Sequence, residues 1–274
     1  MLVYNSFISC YYKNGDFMIY QLYSKKEIKE RPKRKLVTLE SYIIGKNAPT
    51  VLICPGGAYK FVSDSNEGKP FAEKMNERGY NAFVLFYSTG SGNARYPYPL
   101  KDVARAMQFI KSKADELQID ADRIALMGSS AGGHLCAFFS TQYERFECEY
   151  QEKDYSLKPK VLLLAYPVIT MGELTHKVSR KNLLGFMTGK PEREAASVEK
   201  HITADYPPTF CWHNKDDKSV DYRNSVMLEE ALKEKGVAHE VVYYQTGGHG
   251  IGLAQGKEAE GWINKAIDFL DRNI

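Results

Sequence analysis

The chain is poor in cysteine, and what it has is poorly placed for metal or for staples. Five cysteines occur in 274 residues, an odd number, and no two stand as Cys-x-x-Cys. That spacing argues against a metal cluster. Cys54, Cys136 and Cys211 sit among apolar neighbours and read as buried free thiols, which fits a reducing cytoplasm. No apolar run approaches the roughly 18 residues that suggest a membrane span. The opening stretch MLVYNSFISCYYKNGDF has no basic head followed by an apolar core, so no secretory leader is expected. Neither sign of charge dominates, with 37 Lys and Arg against 34 Asp and Glu for a net +3. Nucleic acid and membrane are therefore not expected partners. The one dense cluster, KKEIKERPKRK from Lys25 to Lys35, is interrupted by acids and a proline and reads as a solvated loop between strands. There is no internal repeat and no low-complexity tract.

What the chain does contain is alternation. With 43% hydrophobic residues it can bury a full core, and residues 1–274 read as a single domain. FMIYQLY and LVTLESYII look like two opening strands. The short apolar runs TVLIC, NAFVLFY, RIALM, VLLLAYPV and PTFCW follow, and HEVVYYQ comes last. Such runs mark strands buried on both faces. Helical spacing separates them in PFAEKMNERGY (stopped at Gly79), PLKDVARAMQFIKSKADEL, GGHLCAFFSTQ, SVMLEEALKEKG and EAEGWINKAIDFLDRN. The expectation is an α/β fold: an eight-stranded, mostly parallel sheet with helices on both faces. The mixed segment 170–206 reads as a short cap-like insertion. In open sheets of this kind, sites gather at the carboxyl ends of the strands.

Three such ends carry reactive residues. After RIALM comes Gly128-Ser129-Ser130-Ala131-Gly132, which fits Gly-x-Ser-x-Gly between a strand and a helix. The glycines allow a sharp turn that lifts the Ser130 hydroxyl out of the sheet. The helix that follows points its amino terminus at the site, which favours negative charge. Ser129 is off the centre of the pattern. The plain alternative is a small-residue turn that lets helix and strand pack closely. After TVLIC comes CPGGAY, where the N–H groups of Gly57 and Ala58, with that of Ala131, are placed to hold an oxyanion. By itself CPGGAY is also an ordinary Pro-Gly turn.

A serine hydroxyl needs a base. Of six histidines only His239 and His249 lie far enough along for the chain order Ser, acid, His. His239 heads an alternating strand, where it faces solvent or packs. His249 sits in the glycine-rich loop TGGHGIG and is the expected base. The acid should follow PTFCWHN, among Asp216, Asp217 and Asp221. Spacing does not separate Asp216 from Asp217; Asp221 suits the start of the next helix. His134 and His213 read as packed, hydrogen-bonded histidines, and Glu67 as a cap of the first major helix, with a substrate or loop contact as the alternative. No metal or cofactor is expected.

Together these residues resemble the α/β-hydrolase superfamily. More narrowly they are similar to small bacterial acetyl-esterases, related to acetyl-xylan esterases and hormone-sensitive-lipase-like carboxylesterases. The resemblance runs nearly end to end, through CPGGAY, NEGKPFAEKMNERGYNAFVLFY, YPYPLKDVARAMQFI, IDADRIALMGSSAGGHLCA, YPPTFCWHNKDDKSVDYRNS and GGHGIGLA. It implies Ser130 as nucleophile, His249 as base and, as second aspartate of HNKDDKSV, Asp217 as acid. Two departures stand out. The lipase-like relatives carry His-Gly-Gly-Gly where this chain has Pro55-Gly56-Gly57-Ala58, and segment 170–206 is short and polar where true lipases have large lids. The activity implied is a cytoplasmic serine esterase for short acyl groups, acetyl above all, on acetylated sugars or xylo-oligosaccharides. Its expected partners are that small ester and, at most, further copies of the chain. The rivals are an amide or peptide hydrolase of arylformamidase or prolyl-oligopeptidase type, and a non-catalytic binding protein on the same scaffold.

Overall fold

The computed structural model describes residues 12–14, 17–150 and 156–274; Cys10 and most of the stretch scanned for a leader lie outside the described residues. The strands are β1 (Tyr12–Asn14), β2 (Phe17–Gln21), β3 (Thr38–Tyr42), β4 (Ala48–Cys54), β5 (Asn81–Phe86), β6 (Ile119–Ser129), β7 (Leu162–Ala165), β8 (Thr209–Asn214) and β9 (His239–Tyr244). They form one nine-stranded sheet in the order β1-β2-β3-β5-β4-β6-β7-β8-β9. The eight strands read from sequence are all present; the ninth, β1, pairs antiparallel with β2 through Tyr12↔Ile19. From β5 across to β9 every neighbouring pair is parallel, and β1, β2 and β3 make an antiparallel edge.

Parallel neighbours need a crossover, and the crossovers here are the helices between strands. Side chains alternate across the sheet with period two, so each strand feeds two cores. Leu52 and Cys54, Leu126, Leu162 and Leu164, and Cys211 point to one side. There they meet Leu100, Val103 and Met107 of the helix Tyr98–Ser112, Leu135 of the helix Ser130–Ser140, and Leu228 of the helix Arg223–Glu234. Val51, Ile53, Met127, Leu163 and Trp212 point to the other, against Phe71 and Met75 of the helix Lys69–Glu77 and Trp262, Ile263 and Ile267 of the helix Trp262–Asn273.

Two elements differ from their expectation for local reasons. The charged run after Ser24 is not a loop: Lys25–Glu30 is an α-helix and Pro32–Leu36 a 3-10 turn. Ser24 and Glu27 form a reciprocal capping box, the Ser-x-x-Glu pattern that starts a helix, and Arg105 pairs with Glu27 at 2.6 Å. The last helix begins at Trp262 rather than near Glu258, because Gly261 is left-handed at φ 82° and the Glu258 carboxylate accepts the N–H groups of Gln245 and Thr246 instead. Within segment 170–206 lie a helix at Lys177–Leu184, another at Lys190–Ala195 and a 3-10 turn at Val198–Lys200. The segment is tied to the body where Asn224 Oδ1 accepts the N–H groups of Ile169 and Thr170 at 2.9 and 3.1 Å. Among the described residues no helix is long and apolar enough to cross a membrane.

Candidate active site

The turn between β6 and the helix Ser130–Ser140 is as tight as its glycines suggest. A Cβ on Gly132 would stand 1.9 Å from the Cys54 carbonyl oxygen, and one on Gly128 would stand 2.3 Å from that of Gly132. Neither position admits a side chain, because backbone occupies the space. Ser130 itself is held at φ 52°, a left-handed conformation that costs a non-glycine residue about 1–2 kcal/mol. Its carbonyl accepts the Val168 N–H at 3.1 Å, which pins the strained residue from the end of β7. The Ser130 hydroxyl, not that of Ser129, reaches a histidine: it donates to His249 Nε2 at 2.8 Å.

His249 comes from the loop after β9 and Asp217 from the turn after β8. His249 Nδ1–H donates to Asp217 Oδ2 at 2.6 Å. A carboxylate only accepts, so the proton on Nδ1 fixes the tautomer and leaves Nε2 free to accept from Ser130. Asp217 is saturated with donors. Its Oδ1 accepts the N–H groups of Ser219 and Val220 at 2.8 and 3.0 Å, and its Oδ2 also accepts from His213 Nε2 at 3.1 Å. Burial alone would raise the Asp217 carboxyl, but the bonds from His213, His249 and Val220 outweigh it and hold the group well below the usual carboxylate range.

The two rival aspartates have other work. Asp216 accepts the N–H groups of Gly247 and Gly248 at 3.1 and 2.9 Å, bracing the loop that carries His249. Asp221 accepts the Arg223 N–H at 3.0 Å, at the start of the helix Arg223–Glu234. His213 was read as a packing histidine; it is buried, and it also donates to the Asp217 carboxylate. Its Nε2–H is shared between Asp217 and the Val220 carbonyl, while Nδ1 accepts from Ser225 at 2.7 Å.

Pro55 to Tyr59 forms the facing turn, with Gly57 at φ 120°, Ala58 at φ 57° and Tyr59 at φ 57°. Among the described residues no acceptor takes the N–H of Gly57 or Ala58. That of Ala131 lies in the first turn of its helix, where amide N–H groups lack a partner within the helix. Ala58 thus takes a left-handed conformation where the lipase-like pattern has glycine, and the Asn182 amide donates to its carbonyl at 2.9 Å. Asn182 belongs to the helix Lys177–Leu184, so segment 170–206 grips this turn directly. His134 packs as expected: it accepts from the Tyr59 hydroxyl at Nδ1 (2.8 Å) and donates from Nε2 to the Ala196 carbonyl (2.9 Å). Glu67, in contrast, does not cap a helix. It ends the short turn Asp64–Glu67, and Asp64 Oδ1 accepts the Lys69 N–H at the start of the next helix. Glu67 is buried, with its carboxylate on the Gly56 N–H. Tyr166, whose ring stands edge-on to His249 at 4.9 Å, was missed altogether; its place at the end of the VLLLA run was the available signal.

The sheet order, the elbow and a site drawn from the carboxyl ends of β4, β6, β8 and β9 define an α/β-hydrolase. The chain belongs to the BD-FAE family, whose model matches residues 41–232. It is 34% identical over 215 residues to endo-1,4-beta-xylanase B of Butyrivibrio fibrisolvens, across 77% of this chain and 34% of that protein. It is 30% identical over 208 residues to the acetylxylan esterase of Xylanibacter ruminicola, across 73% of this chain and 40% of that one. The chain therefore spans well under half the length of either. Among solved structures, the acetyl ester-xyloside bifunctional hydrolase of Caldicellulosiruptor lactoaceticus superposes with a TM-score of 0.81 at 30% identity, covering 93% of this chain and 94% of that one. A carboxylesterase of Lactobacillus plantarum gives 0.75 at 25% identity, covering 86% and 92%.

Proposed function

We propose that this chain is a serine esterase that removes short acyl groups, acetyl above all, from acetylated sugars such as xylo-oligosaccharides. The observation that carries the reading is the unbroken hydrogen-bonded line from the Ser130 hydroxyl through His249 to Asp217. Ser130 Oγ attacks the ester carbonyl carbon while His249 Nε2 takes its proton. The carbonyl π electrons move onto oxygen, and the N–H groups of Gly57, Ala58 and Ala131 stabilise that oxyanion. Collapse breaks the bond to the alcohol oxygen, which leaves with the proton from Nε2. Water then attacks the acyl-serine by the same route, releasing the acid and restoring Ser130. Asp217 remains ionised throughout and stabilises the imidazolium.

The substrate class is supported by the names of the relatives and by the short cap, which builds no large apolar lid. The four described cysteines are free, three of them buried, in keeping with a cytoplasmic enzyme acting on imported fragments. The test is hydrolysis of p-nitrophenyl esters from acetate to octanoate by wild type and Ser130→Ala, followed by acetylated xylo-oligosaccharides. Acetate should turn over fastest, and the variant should lose about a millionfold in kcat. Turnover that survives in Ser130→Ala overturns the mechanism. Labelling of Ser130 by a phosphonate without turnover of any ester points to an amide substrate.

A further inference from the structure

Glu67 is 3% exposed and stands outside both the Ser130–His249–Asp217 line and the oxyanion donors, yet it reaches the backbone of one half of the site directly and of the other through Tyr166. Its Oε2 accepts the Gly56 N–H at 2.8 Å, one residue before Gly57. Its Oε1 accepts the Tyr166 hydroxyl at 2.7 Å. The Tyr166 oxygen in turn accepts the Gly252 N–H at 3.2 Å. The preceding residue joins in: Asn66 Nδ2–H donates to the Gly250 carbonyl at 2.7 Å. Gly250 and Gly252 lie just after His249. One dipeptide therefore grips the oxyanion turn through Glu67, and the base loop through Asn66 directly and through Glu67 by way of Tyr166.

The fit is specific. A Cβ at position 56 would come 2.6 Å from Oε2, so the carboxylate reaches the N–H only because residue 56 is glycine. Tyr166 is held at φ 39°, a conformation a tyrosine adopts only where its surroundings impose it, and its ring lies against His249. Both carboxylate oxygens accept hydrogen bonds, and among the described residues no cation pairs with Glu67. Burial pushes the Glu67 carboxyl up, while the bonds from Tyr166 and Gly56 and the nearby His249 imidazole pull it down. Packing alone gives no reason for it.

We propose that Glu67 is a positioning residue that holds the oxyanion turn and the His249 loop in one register, through Gly56 on one side and Tyr166 on the other. The role rests on the esterase reading above. In the reaction the proton moves from Ser130 to Nε2 while charge builds at the facing turn, so both parts must be placed together.

The experiment measures kcat and KM for p-nitrophenyl acetate in Glu67→Gln, Tyr166→Phe and the double variant, well below each melting temperature. Gln keeps the volume but has one acceptor oxygen for two donors; Phe removes only the hydroxyl. Each single change should lower kcat about ten- to a hundredfold with KM within about twofold, since small misplacements near a reacting centre act on turnover. The double variant should fall no further than the worse single, because both changes cut one linkage. An unchanged kcat, a change confined to KM, or effects that multiply would each overturn the role. If Glu67→Gln fails to fold, Tyr166→Phe decides alone. Dead Ser130→Ala beside fully active Glu67 and Tyr166 variants removes only the positioning role, whereas active Ser130→Ala removes the esterase reading and the role with it.

Discussion

Asp217 shows how much of a single residue's behaviour comes from its neighbours. Four donors converge on its carboxylate, two from backbone and two from imidazoles. Its folded pKa lies below the unfolded one, so the stability it contributes is whole above the usual carboxylate range and lost only in strong acid. The acid limb of activity should therefore not be set by Asp217. Asp217→Asn replaces an acceptor by an amide, breaks the tautomer rule for His249, and should lower kcat about ten-thousandfold in steady-state assays. Two adjacent aspartates look alike in sequence, and only the turn decides between them: Asp217 faces inward to two histidines, and Asp216 outward to the amides of Gly247 and Gly248. Ser130 and His249 were legible because local pattern encodes an elbow and a glycine loop. Tyr166 and His213 were not legible as site residues, and Glu67 was legible only as the alternative of a loop contact, since each acts on a partner brought near only by the folded sheet.

At the scale of elements, the buried strands were the easiest to read, because a strand covered on both faces must be apolar along its length. The helix at Lys25–Glu30 was hidden by its charge, although Ser24 and Glu27 carried its start signal in plain view. The last helix is anchored by the side chain at its start. Trp262 is fully buried, its ring 5.1 Å from that of Trp212 and 5.4 Å from that of Phe71, and its Nε1–H donates to the Gly252 carbonyl at 2.9 Å. Trp262→Ala should cost about 3–5 kcal/mol in urea unfolding. Trp262 is thus a third tie, beside Asn66 and Tyr166, on the residues that follow His249.

Across the whole molecule, two buried titratable groups on the same side of the sheet oppose each other. Burial pulls the His134 imidazole down to about 4 from 6.5, with the bond to Ala196 resisting. Its contribution to stability is whole above pH 6.5 and fades as pH falls toward 4. Burial pushes the Asp102 carboxyl up to about 6 from 3.8, although the Tyr23 hydroxyl (2.5 Å) and the Ser88 N–H (2.6 Å) both donate to it. Its contribution is whole below pH 3.8 and is lost as pH rises through 6. Each is worth ~3 kcal/mol with opposite sign, so between about pH 6 and pH 4 they largely offset. Urea midpoints followed over that range should fall steeply on acidification in Asp102→Asn and rise in His134→Gln, with the wild type flatter than either.

Ser130 and His249 stand 119 residues apart, and β9 is the last strand of the sheet. A growing chain emerging from the ribosome carries its serine and its facing turn long before its imidazole exists. Until then that serine is an ordinary alcohol with no base beside it. On the reading proposed above, reactivity waits for the loop after β9, so a chain cut between Ser130 and His249 should not turn over esters.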